Sequence, residues 1–335
     1  MPLRQPRLHR FAPRHEAVLL VVLLALCLGI QLQNGRFLSP ENLLDLLRSC
    51  AFPGILAAGA CIVLVSGGID ISFTATSSIA AYVMAIVLLR LGGNIAVAFV
   101  SAAAVGGALG AVNGLIIHAL RIPPIIATIA TLNIYHGLLR TLSQGRWIYG
   151  LPGWFQGFAD LELPFGAPGA GLEPAGVSVL VVVWAVVVGA ASLFLHRTGL
   201  GRGVYAMGGN AEAARRVGFG MLRLRLAVYG AMGFLAGIAA VVHVLETQVV
   251  APNALVGREL GVIAAVVLGG ATLTGGRGTL TGTFLGVLLI AVVGNGLTLG
   301  RIPAVWHEVA LGTIILVSVS LGGTARAAMP AGGVS

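Results

Sequence analysis

Long apolar stretches alternate along the chain with short breaks rich in Gly, Pro and Arg, and that alternation predicts membrane-spanning helices. The first stretch runs from Ala17 to Ile30, and further spans are read at 50–66, 71–90, 95–120, 122–142, 176–196, 226–245, 260–275, 279–299 and 304–322. The expected fold is all-α: a polytopic transmembrane bundle of about ten spans, with Gly-broken or re-entrant segments and both termini on one side. The first stretch follows Arg4, Arg7, Arg10 and Arg14 and has the look of a signal peptide. No small-x-small cleavage site follows it in QLQNGRF, so it is expected to be retained as a span.

Four interruptions of the pattern carry the candidate chemistry. The longest is the polar island 197–225, with six Arg against the single acid Glu212. Within it Asn210 is suited to cap a short helix through Ala211–Val217, with Glu212 in the first turn and Gly218 to end it. Such a helix is marginal alone and needs packing to hold it. SGGIDIS at 66–72 sets paired Gly before Asp70, which reads as a broken helix beside a polar cavity or as a turn with Asp70 capping the next helix. GGALGAVNG puts Gly106, Gly110 and Gly114 on one face, a close-packing stripe, with Asn113 beside it as interhelical glue or as a pathway residue. LGGATLTGGRGTLTG at 268–282 reads as a re-entrant or tightly turned hairpin with Arg277 at its tip.

Composition agrees with the pattern: the 335 residues are 57% hydrophobic and 9% charged, far below the charge of soluble domains. The net charge of +9 is spread between spans with no basic face, so it speaks for orientation in a bilayer and against nucleic acid. With the N-terminus cytoplasmic, thirteen of the 20 Arg fall inside. The expected organisation is a cytoplasmic tail at 1–16, a transmembrane domain at 17–322 and a cytoplasmic tail at 323–335. The segment 197–225 lies inside, and the aromatic-rich segment 143–175 lies outside.

Much chemistry is excluded. All 20 basic residues are Arg, so no P-loop or Schiff-base lysine exists and the chain cannot itself be a Walker-type ATPase. Cys27, Cys50 and Cys61 lie in or beside apolar runs without metal-ligand spacing and read as core. GRGVYA at 201–206 matches a dinucleotide fingerprint only in its letters, since an apolar span precedes it and Leu226 stands near the place of the required acid. His118, His136 and His243 read as packing residues, and no carboxylate pair has catalytic spacing. A different class of reading, a carrier acting alone, would use Asp70 or Glu246 as proton sites.

SGGIDIS, NGLIIHALRIPPIIATIATLNIYHGLLR, GRGVYAMGGNAEAARRVGF and RELGVIAAVVLGGATLTGGRGTLTGTFLGVLL, taken in order, resemble the ribose-type permease family of bacterial ABC sugar importers. The resemblance covers about residues 50–320. It implies an inner-membrane permease that moves a monosaccharide or related polyol, is not itself an enzyme and binds no cofactor. ATP and Mg would sit on a partner ATPase, with a periplasmic sugar-binding protein and a second permease subunit, identical or different, as further partners. The third block looks like the family's ATPase-coupling loop, which assigns Gly203, Tyr205, Gly208, Gly209, Asn210, Glu212, Ala213, Ala214, Arg215 and Gly218 to coupling. The substrate pathway is expected near Asp70, Phe73, Asn113, Asn133 and Asn295. A dimer contact is expected through Gly282 and Gly286. The chain departs from the family at Phe73–Ala75, at His136 where Arg is usual, and at Gly261 where an Asp is common. RWIYGLP at 146–152 and RIPAVW at 301–306 look similar to the autoinducer-2 branch, which keeps that substrate and rhamnose-like sugars open.

Overall fold

A computed structural model describes residues 12–164, 176–303, 305–314 and 316. The chain enters as α1 (Ala12–Gln33), then α2 (Pro40–Ser49), α3 (Ala51–Val65), α4 (Phe73–Leu91), α5 (Ile95–Leu120) and α6 (Pro124–Ser143). After α7 (Gly153–Ala159), the strands β1 (Glu162–Pro164) and β2 (Gly176–Ser178) pair antiparallel. There follow α8 (Val179–Arg197), α9 (Gly199–Gly209), α10 (Ala211–Arg216), α11 (Met221–Thr247), α12 (Glu259–Leu268) and α13 (Leu280–Leu299). Residues 305–314 are helical too.

Local chemistry sets these boundaries. Ser39 caps α2 ahead of Pro40, and Asn94 caps α5 by accepting from the Val97 amide. Arg121, Gln144 and Gln248 adopt the left-handed conformation that ends α5, α6 and α11.

Among the described residues seven helices are long and apolar enough to cross a membrane, and α2 with α3, bent by 44°, makes an eighth. The chain is a multi-pass membrane protein, and the all-α expectation holds. One of the ten expected spans differs. The span at 260–275 is a helix of ten residues, α12, followed by irregular chain from Gly269 to Thr279. Of the expected span at 304–322, residues 305–314 and 316 are described and helical. The tails at 1–16 and 323–335 lie largely or wholly outside the described residues, as does part of 143–175.

The core is built on α3 and α11. Of the fifteen residues of α3, fourteen are buried, so this helix is wrapped in protein. Its length of about 22 Å is short of a bilayer, but a helix that touches no lipid has no thickness to match. Against it lies α11, zipped to α5 by glycine. A Cβ at Gly106 would fall within 3.0 Å of the Gly233 carbonyl oxygen, one at Gly110 on that of Tyr229, and one at Gly237 on that of Ala102. The predicted stripe is therefore a backbone-to-backbone contact, and its mate is GAMGFLAG of α11. By contrast α1 exposes Val18, Val21, Leu24 and Leu28, an apolar face suited to lipid.

The helices define two ends. Ile148 pairs with Val250 at one, where the rings of Trp147 and Tyr149 lie 6.1 Å apart. At the other, His15 bonds the Leu268 carbonyl, Glu16 accepts from Thr279, and Arg225 reaches the Ile117 carbonyl at 3.0 Å. The polar island belongs to this second end.

Candidate coupling site and the polar loop beside it

The expected short helix is present as α10, and Asn210 caps it, its side-chain oxygen accepting from the Ala213 amide at 2.9 Å. Glu212 pairs with Arg215 at 3.2 Å and Arg216 at 3.3 Å, and Gly218 takes the positive φ that stops the run. Ala214 alone is buried, while Ala211, Glu212, Ala213 and Arg215 present an open, slender surface.

What the sequence did not predict is that the stretch before it is also helical. Five glycines in α9 cost helix stability, roughly 0.5–1 kcal/mol each relative to Ala. Three of them are explained by contact. A Cβ at Gly201 would meet the Leu195 carbonyl, one at Gly203 the side chains of Leu224 and Phe219, and one at Gly208 the Val65 carbonyl. Thr198 begins α9 by accepting from the Gly201 amide. Asn210 ends α9 and caps α10, so the two helices share one residue.

Gly208 sits at a junction of three glycine pairs distant in sequence. Gly67 after α3 approaches its Cα, Gly275 packs on Gly67, and Gly276 packs on Gly209. The Gly276 amide donates to the Val65 carbonyl at 2.8 Å. Gly67, Gly275 and Gly276 all have positive φ, at 82°, 85° and 74°. The Tyr205 hydroxyl donates to the Gly278 carbonyl at 2.9 Å, and burial pushes this phenol up to about 12, so it stays protonated and donating. The loop after α3, the loop before α13 and α9 are thus joined backbone to backbone.

Asp70 lies just beyond that junction, buried, with its carboxylate accepting from the Ser72 amide and hydroxyl, both at 2.7 Å. Asn113 donates to the Ser72 hydroxyl at 2.7 Å, and Tyr135 donates to Asn113 at 3.3 Å. Asp70 is therefore anchored within a sealed network, beside the start of α4 and the buried Phe73. Thr74, next in line, donates to Glu259 at the start of α12. Removing the carboxylate would strand two buried donors, at about 1–3 kcal/mol each. Asp70→Ala is thus expected to lower the melting temperature of the detergent-solubilised protein, and Asp70→Asn, which keeps an acceptor, to lower it less.

The expected pathway residues are not brought together. Asn113 is buried between α5, α6 and the loop, where its bonds to Ser72 and Tyr135 tie the three together. Asn133 is exposed on α6 and donates to its own helix at Ile129. Asn295 exchanges two hydrogen bonds with Asn42, fastening α13 to α2. Gly282 and Gly286 are turned inward onto Gly269 and Ala265, so they serve α12 and α13 and are not open to a second subunit. Tyr135, Thr74 and Glu259 were missed, because each needs a partner from a remote helix.

A family profile described as branched-chain amino acid transport system / permease component matches residues 42–319. An autoinducer 2 import system permease protein of Enterobacter sp. (strain 638) is 35% identical over 296 residues, 88% of this chain and 83% of that one. The ribose import permease protein of Escherichia coli (strain K12) is 33% identical over 304 residues, 90% of this chain and 91% of its own. That of Bacillus subtilis (strain 168) is 34% identical over 303 residues, 89% and 90%. No solved structure matches the chain.

Proposed function

Because the chain belongs to the family of branched-chain amino acid transport system permease components, we propose that it is the membrane subunit of an ATP-driven importer for a monosaccharide or related polyol. The relatives named for ribose and autoinducer 2 support this substrate class over the amino acid of the broad family description. The protein would sit in a bacterial inner membrane, with α9, α10 and the Arg-rich N-terminal tail in the cytoplasm and the Trp147–Tyr149 end outside. The positive-inside distribution of Arg supports that orientation. ATP and Mg would be bound by a separate ATPase subunit; a periplasmic binding protein would deliver the permeant, and a second permease subunit would complete the membrane part.

The observation that carries the coupling role is the geometry of α10: a capped, slender, solvent-facing helix sharing one residue with a helix locked by Gly208 onto two broken-helix loops. A groove on the ATPase can grip such a projection through Glu212, Arg215 and the small faces of Ala211 and Ala213. Movement of the ATPase then bears on the loops at 66–72 and 269–279 through backbone contacts that have little freedom to yield. A ligand or nucleotide state shifts the permease only so far as this contact differs between its conformations.

Glu212→Ala tests it. The side chains it pairs with are 68% and 78% exposed, so the lost ion pairs should cost the fold only about 0.2–1 kcal/mol. Expressed with its ATPase and binding protein, the variant is expected at normal yield, with the ATPase no longer co-purifying and uptake lost. Wild-type uptake with the ATPase still bound would refute the assignment of α10.

A further inference from the structure

Beside the glycine junction lies a cavity of about 330 Å³, walled by Gly67, Gly68, Gly208, Asn210, Arg225 and Tyr229 among others, with no carboxylate in its lining. Tyr229 is 2% exposed, and its hydroxyl finds no hydrogen-bond partner among the described residues. A buried hydroxyl without a partner costs about 1–3 kcal/mol, and a phenylalanine would pack as well. The neighbouring Gly68 sharpens the point. Its φ is not in the left-handed region, so its backbone does not demand glycine. A Cβ there would instead collide with the Tyr229 hydroxyl. The side chain at 68 is thus absent to leave room for a polar atom that does nothing for the chain's own fold.

We infer that this cavity, once displacement of the coupling helices opens it, is a binding site for a small, neutral, polyhydroxylated permeant at the moment of release, with the Tyr229 hydroxyl, closed over by Gly68 in the present conformation, as its hydrogen-bonding contact. The volume falls within the range of about 300–1,000 Å³ usual for small-molecule sites. A permeant hydroxyl both donates and accepts, as does the phenol, and the Arg225 guanidinium adds donors at the wall. The inference rests on the importer reading above and adds a place to it. Gly208 and Asn210, which hold α9 and α10, are also walls of the cavity, so displacement of the coupling helices reshapes the release site directly.

The test uses the full complex. Uptake of radiolabelled D-ribose, other pentoses, hexoses and pentitols is measured first; if none enters, the importer reading itself fails. With the transported compound in hand, Tyr229→Phe is expected to lower the maximal uptake rate by about fivefold or more, the loss of one hydrogen bond. The half-saturating concentration outside, set at the binding protein, and ATPase co-purification should not change. Gly68→Ala alone is expected to reduce the yield of folded protein, and adding Tyr229→Phe, which vacates the space, to restore yield without restoring uptake. Wild-type maximal rates in Tyr229→Phe or in the double variant would overturn the inference, leaving water as the hydroxyl's only partner. Loss of folded protein in Tyr229→Phe would overturn it equally, since the hydroxyl would then be serving the fold.

Discussion

Gly233→Ala is expected to yield almost no folded protein. Its new methyl would lie within 3.0 Å of the Gly106 carbonyl and of the Gly110 Cα, where neither neighbour is a side-chain end able to swing aside. Overpacking an ordinary core costs about 1–3 kcal/mol, and here α5 and α11 must separate along their length to relieve it. The reciprocal change, Gly106→Ala, meets the Gly233 carbonyl and should fail alike. Gly107→Ala is the control: it is one residue away on the same helix, with its nearest neighbour at an ordinary 3.7 Å. Size-exclusion profiles of fluorescent fusions in mild detergent would separate the three. A monodisperse Gly233→Ala at wild-type yield would show that the α5 and α11 backbones do not approach as described.

Gly208→Ala is expected to abolish uptake. Its Cβ would overlap the Val65 carbonyl and crowd the Gly276 amide, so α9 must lift away from both loops and break the 2.8 Å bond between those two groups. Gly199→Ala, on the same helix but away from the junction, meets only the end of the Arg202 side chain at 3.9 Å and has no positive φ, so it should fold and transport nearly as the parent does. Position 208 alone is tested for transmission if Gly208→Ala still binds the ATPase through an intact α10 but no longer gains ATP hydrolysis from loaded binding protein. Substrate-stimulated hydrolysis at the parental rate in that variant would mean the junction does not carry the coupling.

The elements that announce themselves in one segment were legible: the apolar spans, the Asn210 cap with its Gly218 stop, and the small-residue face at Gly106, Gly110 and Gly114. Features that arise only when distant segments meet were not. Eight Gly-Gly pairs are visible in the sequence, yet nothing local says that 275–276, and not 269–270, would close on 67 and 208. Glycine in α9 looked like loop because its propensity is poor, and contact with Leu195, Leu224 and Val65 overrode that. Asn113 and Asn133 share a residue type and an apolar setting; only the neighbours of α5 and α6 decide that one is sealed and the other open. Gly282 and Gly286 permitted close approach, as read, but the helix that approaches is α12 of the same chain.

The hydrogen bonds that hold Asp70 also limit what Asp70 can do. They run in one direction, from the Tyr135 hydroxyl to Asn113, from Asn113 to Ser72, and from Ser72 to the carboxylate. A proton wire needs every link to take up one proton and release another. The hydroxyls of Tyr135 and Ser72 can do so, but the Asn113 amide accepts on its oxygen and donates from its nitrogen, and relaying a proton through it would require an imidic acid. The chain therefore fastens the loop and insulates the carboxylate from Tyr135. An uptake assay in which collapsing the proton gradient leaves transport intact, so long as ATP is maintained, is the behaviour this wiring calls for.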